Sequence, residues 1–241
     1  MNAQTTFRRA AVFGASGGIG GALAGKLADR GVEVWAGSRS GLCRDQRTRG
    51  FAFDLTDEAS IAAMAAELAA TPPDLVIVAS GVLTLDNGEG PERAFKQIDA
   101  DAMEAVFRLN TIGPALIAKH FLPLLPRRDR AVFAALSARV GSISDNRLGG
   151  WHSYRASKAA LNMLLKNFAI ELGRTHKQAV VAGLHPGTVD TCLSEPFQSN
   201  LPDGQLTAPN AAAENLLTVL DGLTPGDSGG VFDWKGDEVP A

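Results

Sequence analysis

The stretch Phe13-Gly14-Ala15-Ser16-Gly17-Gly18-Ile19-Gly20 decides the fold. It joins a short apolar run at 10–13 to an alanine- and leucine-rich segment with helical spacing, which makes it a strand–turn–helix junction. At such a junction Gly14 permits the tight turn, Gly18 lets backbone approach a pyrophosphate, and Gly20 allows the helix to pack closely on the strand. The helix start adds unpaired N–H groups and a partial positive charge facing the same anion. Ser16 and Ile19 join the three glycines as candidate contacts to a dinucleotide. Because Gly17 and Gly18 are adjacent, the spacing fits both GxxxGxG and GxxGxxG, and the glycines alone do not choose between them.

The same alternation continues along the chain. Apolar runs at 10–13, 32–37, 50–53, 74–79, 131–137, 179–185 and 229–233 read as strands. Between them, helical spacing covers 18–30, 57–70, 99–122, 153–175 and 208–223. Fully apolar strands alternating with helices predict an α/β fold, a doubly wound parallel sheet of about seven strands with helices on both faces. Thr56-Asp57-Glu58 offers a capping hydroxyl and acids at one helix start, and Gly31 marks a helix stop. Pro114 is expected to kink the long middle helix or end its first part. With no internal repeat and no linker, residues 1–241 read as one domain. Residues 186–206 are rich in Pro, Ser, Asn and Gly, and a loop of that length is expected to cover a substrate.

Composition excludes several classes. The 241 residues are 45% apolar with a formal net charge of −3, so no basic footprint for nucleic acid exists. No apolar run approaches the roughly 20 residues of a membrane span. The polar start, residues 1–9, lacks the apolar region of a signal peptide. Cys43 and Cys192 lie far apart and His120, His152, His176 and His185 show no ligand spacing. The expectation is reduced thiols, no metal and a cytoplasmic location.

Chemistry concentrates in two further places. After the second strand, Ser38-Arg39 offers a hydroxyl and a guanidinium where a carboxylate would hold an adenosine ribose and repel a 2′-phosphate. A charge-assisted hydrogen bond contributes about 1.5–3 kcal/mol, roughly 10- to 150-fold, so NADP(H) is expected over NAD(H). Asp54-Leu55, after the third strand, is placed either to reach the adenine edge or simply to start a helix. Tyr154-Arg155-Ala156-Ser157-Lys158 sets a phenol and an ammonium four residues apart, on one helix face. A phenol of pKa near 10 is only about one part in a thousand ionised at pH 7. A neighbouring ammonium and a nicotinamide cation both favour phenolate, and such a tyrosine exchanges a proton with a carbonyl oxygen.

With Gly14, Gly18, Gly20, Asn110-Thr111-Ile112-Gly113, Ser137, Tyr154, Lys158 and Pro186-Gly187-Thr188 together, the whole chain resembles the short-chain dehydrogenase/reductase family, a Rossmann fold. The run Ser137-Ala138-Arg139-Val140-Gly141-Ser142-Ile143-Ser144-Asp145-Asn146, then Gly149-Gly150-Trp151, is similar to the C-factor-like and sniffer-like carbonyl reductases. The resemblance implies an oxidoreductase moving hydride between NADP(H) and an aldehyde, ketone or alcohol. It implies Tyr154 as general acid/base and Lys158 as its pKa-lowering partner and ribose contact. Ser137 steadies the carbonyl oxygen, and Asn110 holds a water linking Lys158 to solvent. Pro186, Gly187, Thr188, Val189 and Thr191 contact the nicotinamide side. It also implies a homodimer or homotetramer through the middle helices, which carry a second apolar face (Met103, Val106, Phe107, Leu161, Leu164, Phe168). A C-factor-type signalling or sensor protein that binds NAD(P) with little turnover is the alternative.

Three departures stand out. Phe13 occupies the family's threonine position, and Val78-Ala79-Ser80-Gly81 replaces Asn-Asn-Ala-Gly, leaving Gly81 to approach the cofactor. The family's serine falls three residues before a glycine, which here is Ala138. Ser137 closes a parallel strand and so points into the ligand crevice, whereas Ser142 lies beyond the strand end; Ser137 is the expected residue.

Overall fold

The computed structural model describes residues 7–43, 45–85, 88, 90–200 and 205–241. Positions 1–6 of the polar start and 201–204 of the expected substrate loop lie outside them. In chain order the strands are β1 (Arg9–Phe13), β2 (Glu33–Ser38), β3 (Arg49–Ala52), β4 (Leu75–Val78), β5 (Ala131–Leu136), β6 (Ala179–His185), β7 (Thr188–Val189), β8 (Leu206–Thr207) and β9 (Val231–Asp233). Seven of them form one parallel sheet in the order β3-β2-β1-β4-β5-β6-β9. The winding reverses between β1 and β4, and the crevice beyond the carboxyl ends of those strands is where such sheets bind ligands.

Burial on both faces explains why the strands are apolar throughout. Helices α1 (Gly18–Asp29) and α6 (Pro209–Gly222) cover one face with Leu23, Leu27, Leu216 and Leu220 over Val12, Ile77 and Val180. On the other face lie α2 (Glu58–Leu68), α4 (Gly113–Phe121) and α5 (His152–Leu172), with Ile61, Phe121 and Leu165 over Phe13, Val76 and Phe133. Phe13 meets Phe51, Phe53 and Phe121 edge-on at 5.3, 4.9 and 5.0 Å between ring centres. Each such pair contributes about 0.5–1.5 kcal/mol beyond area burial. The phenylalanine at the family's threonine position is therefore a core residue of this chain.

Two expected elements turn out subdivided. Segment 99–122 is α3 (Ala100–Phe107), a π-helical turn (Arg108–Ile112) and α4. Pro114 sits in the first turn of α4, where its missing N–H costs least. The described part of the expected substrate loop carries secondary structure: β7 pairs with β8, and a short helical turn spans Glu195–Asn200.

Candidate active site

The glycine-rich turn is built as its spacing requires. Gly14 has φ of +91°, and a Cβ there would lie 2.6 Å from Ser80 Oγ. A Cβ on Gly20 would overlap the Gly14 carbonyl, so the helix can start this close to β1 only with glycine. Gly18 also has a packing role: a Cβ there would stand 2.5 Å from the Thr191 methyl, so glycine lets the chain at Thr191 lie against the start of α1.

Two cavities meet this turn. One of about 430 Å³ is lined by Gly14, Ser16, Ser38, Arg39, Asp54, Leu55 and Gly81. The second, of about 250 Å³, is lined by Ile19, Ser137, Tyr154, Pro186, Gly187, Thr188, Val189 and Thr191. Together they contain every sequence-predicted nucleotide contact except Gly18, Gly20, Asn110 and Lys158, which pack behind their walls. The glycine cradle and this bipartite crevice fit a dinucleotide. Ser38 is buried and gives its proton to the Leu42 carbonyl at 3.2 Å, whereas Arg39 is exposed at the cavity rim. Asp54 accepts from the Thr56 hydroxyl and N–H, both at 2.7 Å. These bonds, with Arg39 nearby, hold its carboxyl below the usual range.

The proton-transfer residues converge beside Gly81. A Cβ on Gly81 would lie 3.0 Å from Asn110 Oδ1 and 3.4 Å from Lys158 Nζ. Lys158 is buried, donates to the Leu136 carbonyl at 2.8 Å and stands 5.8 Å from the Tyr154 ring centre. Asn110, in the π-helical turn, accepts from Val82 N–H at 2.8 Å and donates to Val82 O and Ser157 Oγ. Its amide hydrogens are thus both engaged within the protein, and it braces the end of β4 against α5.

Burial acts on these groups opposite to the sequence expectation. It pushes the Tyr154 phenol up to about 12 and pulls Lys158 down to about 8. The expectation assumed a bound cofactor cation; in the chain by itself desolvation prevails, and the phenol rests fully protonated.

Ser137 and Ser142 are separated clearly. Ser137 lines the cavity with Tyr154, but its hydroxyl donates to Asn162 Oδ1 at 2.6 Å. Ser142 instead accepts from Asp145 N–H and faces the Ala241 carbonyl.

Glu92, Asn162 and His185 had no role in the site on the sequence reading. Glu92, before α3, accepts from Ser153 N–H at 3.1 Å and from the Ser153 hydroxyl, while its carbonyl accepts from Trp151 N–H at 2.5 Å. Burial opposes its ionisation, yet the Ser153 bonds prevail and hold the carboxyl below its usual range. It thereby caps the helix that carries Tyr154, at the positive end of the helix dipole. Trp151, at φ +51°, sits 6.2 Å from the Tyr154 ring and 5.2 Å from Phe197. His185 lines the same cavity as Ser137, and Asn162 accepts the Ser137 hydroxyl from behind it. No spacing rule connects Glu92 to residue 153, so only the fold reveals that bond.

A third cavity, of about 620 Å³, shares Leu83, Trp151, Tyr154 and Phe197 with the second and extends to Glu92 and Val106. Among the described residues no cluster of three His, Cys, Asp or Glu side chains could hold a metal, and no helix is long and apolar enough to cross a membrane.

This fold and site define a nicotinamide-dependent oxidoreductase. The model of the short chain dehydrogenase family matches residues 8–202, and the chain belongs to that family. It is 33% identical over 223 residues to 1-hydroxy-2-glutathionyl-2-methyl-3-butene dehydrogenase of Rhodococcus sp. strain AD45, covering 90% of this chain and 92% of that one. It is 34% identical over 178 residues to the C-signal protein of Myxococcus xanthus, covering 74% and 98%. Among solved structures, the NADPH-bound carbonyl reductase from chicken fatty liver superposes with a TM-score of 0.82 at 27% identity, covering 97% and 99%.

Proposed function

We propose that this chain reduces an aldehyde or ketone with NADPH, Tyr154 giving the proton. The observation that carries the reading is the convergence of Tyr154, Lys158, Asn110 and Gly81 where the nucleotide crevice meets the 620 Å³ cavity. The bound cofactor supplies the hydride, with the phosphate of its adenosine half toward Arg39. Tyr154 passes its O–H proton to the carbonyl oxygen as the carbon is reduced. Lys158, held by Leu136 O, steadies the negative charge left on the phenol. Asn110 and Glu92 position α5, and Ser137 shapes the wall against which the oxygen lies. A phenol that rests protonated suits the direction of reduction. The large cavity admits a substituent well beyond the reacting carbon.

Met163 and Ile170 on α5 are 62% and 56% exposed, and we read this strip as the contact of a homodimer or homotetramer. Val106 and Leu161, by contrast, turn into the core. Both cysteines are free thiols, in keeping with a cytoplasmic protein.

The test is NADPH consumption with a panel of aldehydes and ketones. Turnover with at least one supports reduction. A second reading, a nucleotide-binding signalling protein, draws on the identity with C-signal and on the engaged Ser137 hydroxyl. Tight NADPH binding without oxidation by any carbonyl would favour it.

A further inference from the structure

The wall of the smaller cavity holds several polar side chains, and most are already committed. Ser137 gives its one hydroxyl proton to Asn162 Oδ1. Ser194 donates to Val189 O at 2.5 Å, and Thr191 to the same carbonyl at 3.4 Å. The residue after Ser137 is Ala138, which lines the cavity and has nothing to donate. Tyr154 must supply the proton itself, so the substrate oxygen needs a second donor from elsewhere.

His185 is placed to be that donor. Leu136 pairs with Leu184 in the β5–β6 register, and Ser137 N–H donates to Leu184 O at 2.8 Å. Ser137 and His185 are therefore the next residues at two adjacent strand ends. Alternation along the strands assigns them one face: Leu136 and Leu184 pack toward α1 and α6, whereas Phe133, Ala135 and Val181 pack toward α5. That second face carries Tyr154. His185 lines the same cavity as Tyr154 and Ser137. Its Nδ1 is sealed off without a hydrogen-bond partner among the described residues, so the ring nitrogen that can meet the cavity is Nε2, which carries the N–H in the tautomer that leaves Nδ1 bare. Burial, with Arg139 adding and Asp233 on β9 opposing, pulls the imidazole down to about 4. It is neutral at working pH, with one ring N–H to give and no charge to neutralise the tyrosine.

Resting on the reading of carbonyl reduction, we infer that His185 donates its ring N–H to the substrate oxygen, the hydrogen bond that Ser137 cannot make while it is held by Asn162. The balance of the step is unchanged. The C=O π bond opens, carbon takes the hydride, oxygen takes the Tyr154 proton, and the His185 N–H stays on the ring while it stabilises the developing oxyanion.

The experiment compares wild type, His185→Ala, His185→Asn, Ser137→Ala and Tyr154→Phe with NADPH and 4-nitrobenzaldehyde, alongside fluorescence titration of NADPH. The inference expects His185→Ala to lose about 30-fold or more in kcat, a larger loss than Ser137→Ala, with the NADPH Kd within about twofold. His185→Asn, which keeps an N–H donor, regains part of the loss and covers the case in which the alanine variant misfolds. Full kcat in His185→Ala and His185→Asn overturns the inference, as does a loss that falls on NADPH affinity instead. Equal rates in wild type and Tyr154→Phe, or no turnover by wild type with 4-nitrobenzaldehyde or any other member of the aldehyde and ketone panel, would instead remove the underlying reading.

Discussion

Lys158 Nζ stands 5.8 Å from the centre of the Tyr154 ring and is held there by a 2.8 Å hydrogen bond to the Leu136 carbonyl. Both residues stand one turn apart on α5, and the bond to β5 fixes where the end of the lysine chain lies beside the phenol. Burial lowers the lysine to about 8 while the phenol stays protonated up to about 12.

This pairing predicts a pH profile. A lowered lysine pKa means the cation is lost early on the alkaline side, so kcat/KM for reduction should be level through neutrality and fall above about pH 8. Lys158→Arg keeps its charge and should move that fall upward. A profile identical in the two proteins would assign the inflection to another group.

Arg39 is the exposed cation of the larger nucleotide cavity, since the Ser38 hydroxyl is turned to Leu42. Arg39→Asp should weaken NADPH binding by about 10- to 150-fold, the value of a charge-assisted hydrogen bond, and leave NADH largely unaffected. Isothermal titration with both cofactors checks this. Unchanged NADPH affinity would detach the phosphate from this residue.

Glu92 caps α5 from a distant loop. Its replacement by alanine should cost about 1 kcal/mol, seen as a fall of about 2–4 °C in the melting temperature. Activity should fall with it, because the first turn of that helix carries Tyr154. An unaltered melt would show that the Glu92 carboxylate does not stabilise the helix start.

The strip of Met163 and Ile170 makes a prediction about assembly. The proposed assembly predicts a wild-type mass above that of one chain in light scattering after size exclusion, and replacing both residues with glutamate should reduce it to the monomer mass; an unchanged mass would place the contact elsewhere.

What the sequence revealed follows from which constraints are local. Strand β6 falls at 179–185 as the apolar run from Ala179 to Leu184 predicts, because a strand buried on both faces is apolar until its end, where His185 emerges. Tyr154 and Lys158 share a face because helical spacing demands it. The π-helical turn at Asn110 was not legible: it depends on the fit of Asn110 between Val82 and Ser157, residues distant in the chain. Phe13 read as a departure near the cofactor, yet its partners Phe51, Phe53 and Phe121 are all tertiary neighbours. His185 gave no motif, and its place beside Ser137 comes from strand register alone.

The measurement closest to the central claim is NADPH oxidation by Tyr154→Phe under conditions where wild type turns over a carbonyl. The variant keeps the ring that packs on Trp151 and loses only the hydroxyl. It should bind NADPH as wild type does and lose about 100-fold or more in kcat, the scale of general acid catalysis. Turnover at the wild-type rate would contradict the assignment of the proton to this phenol.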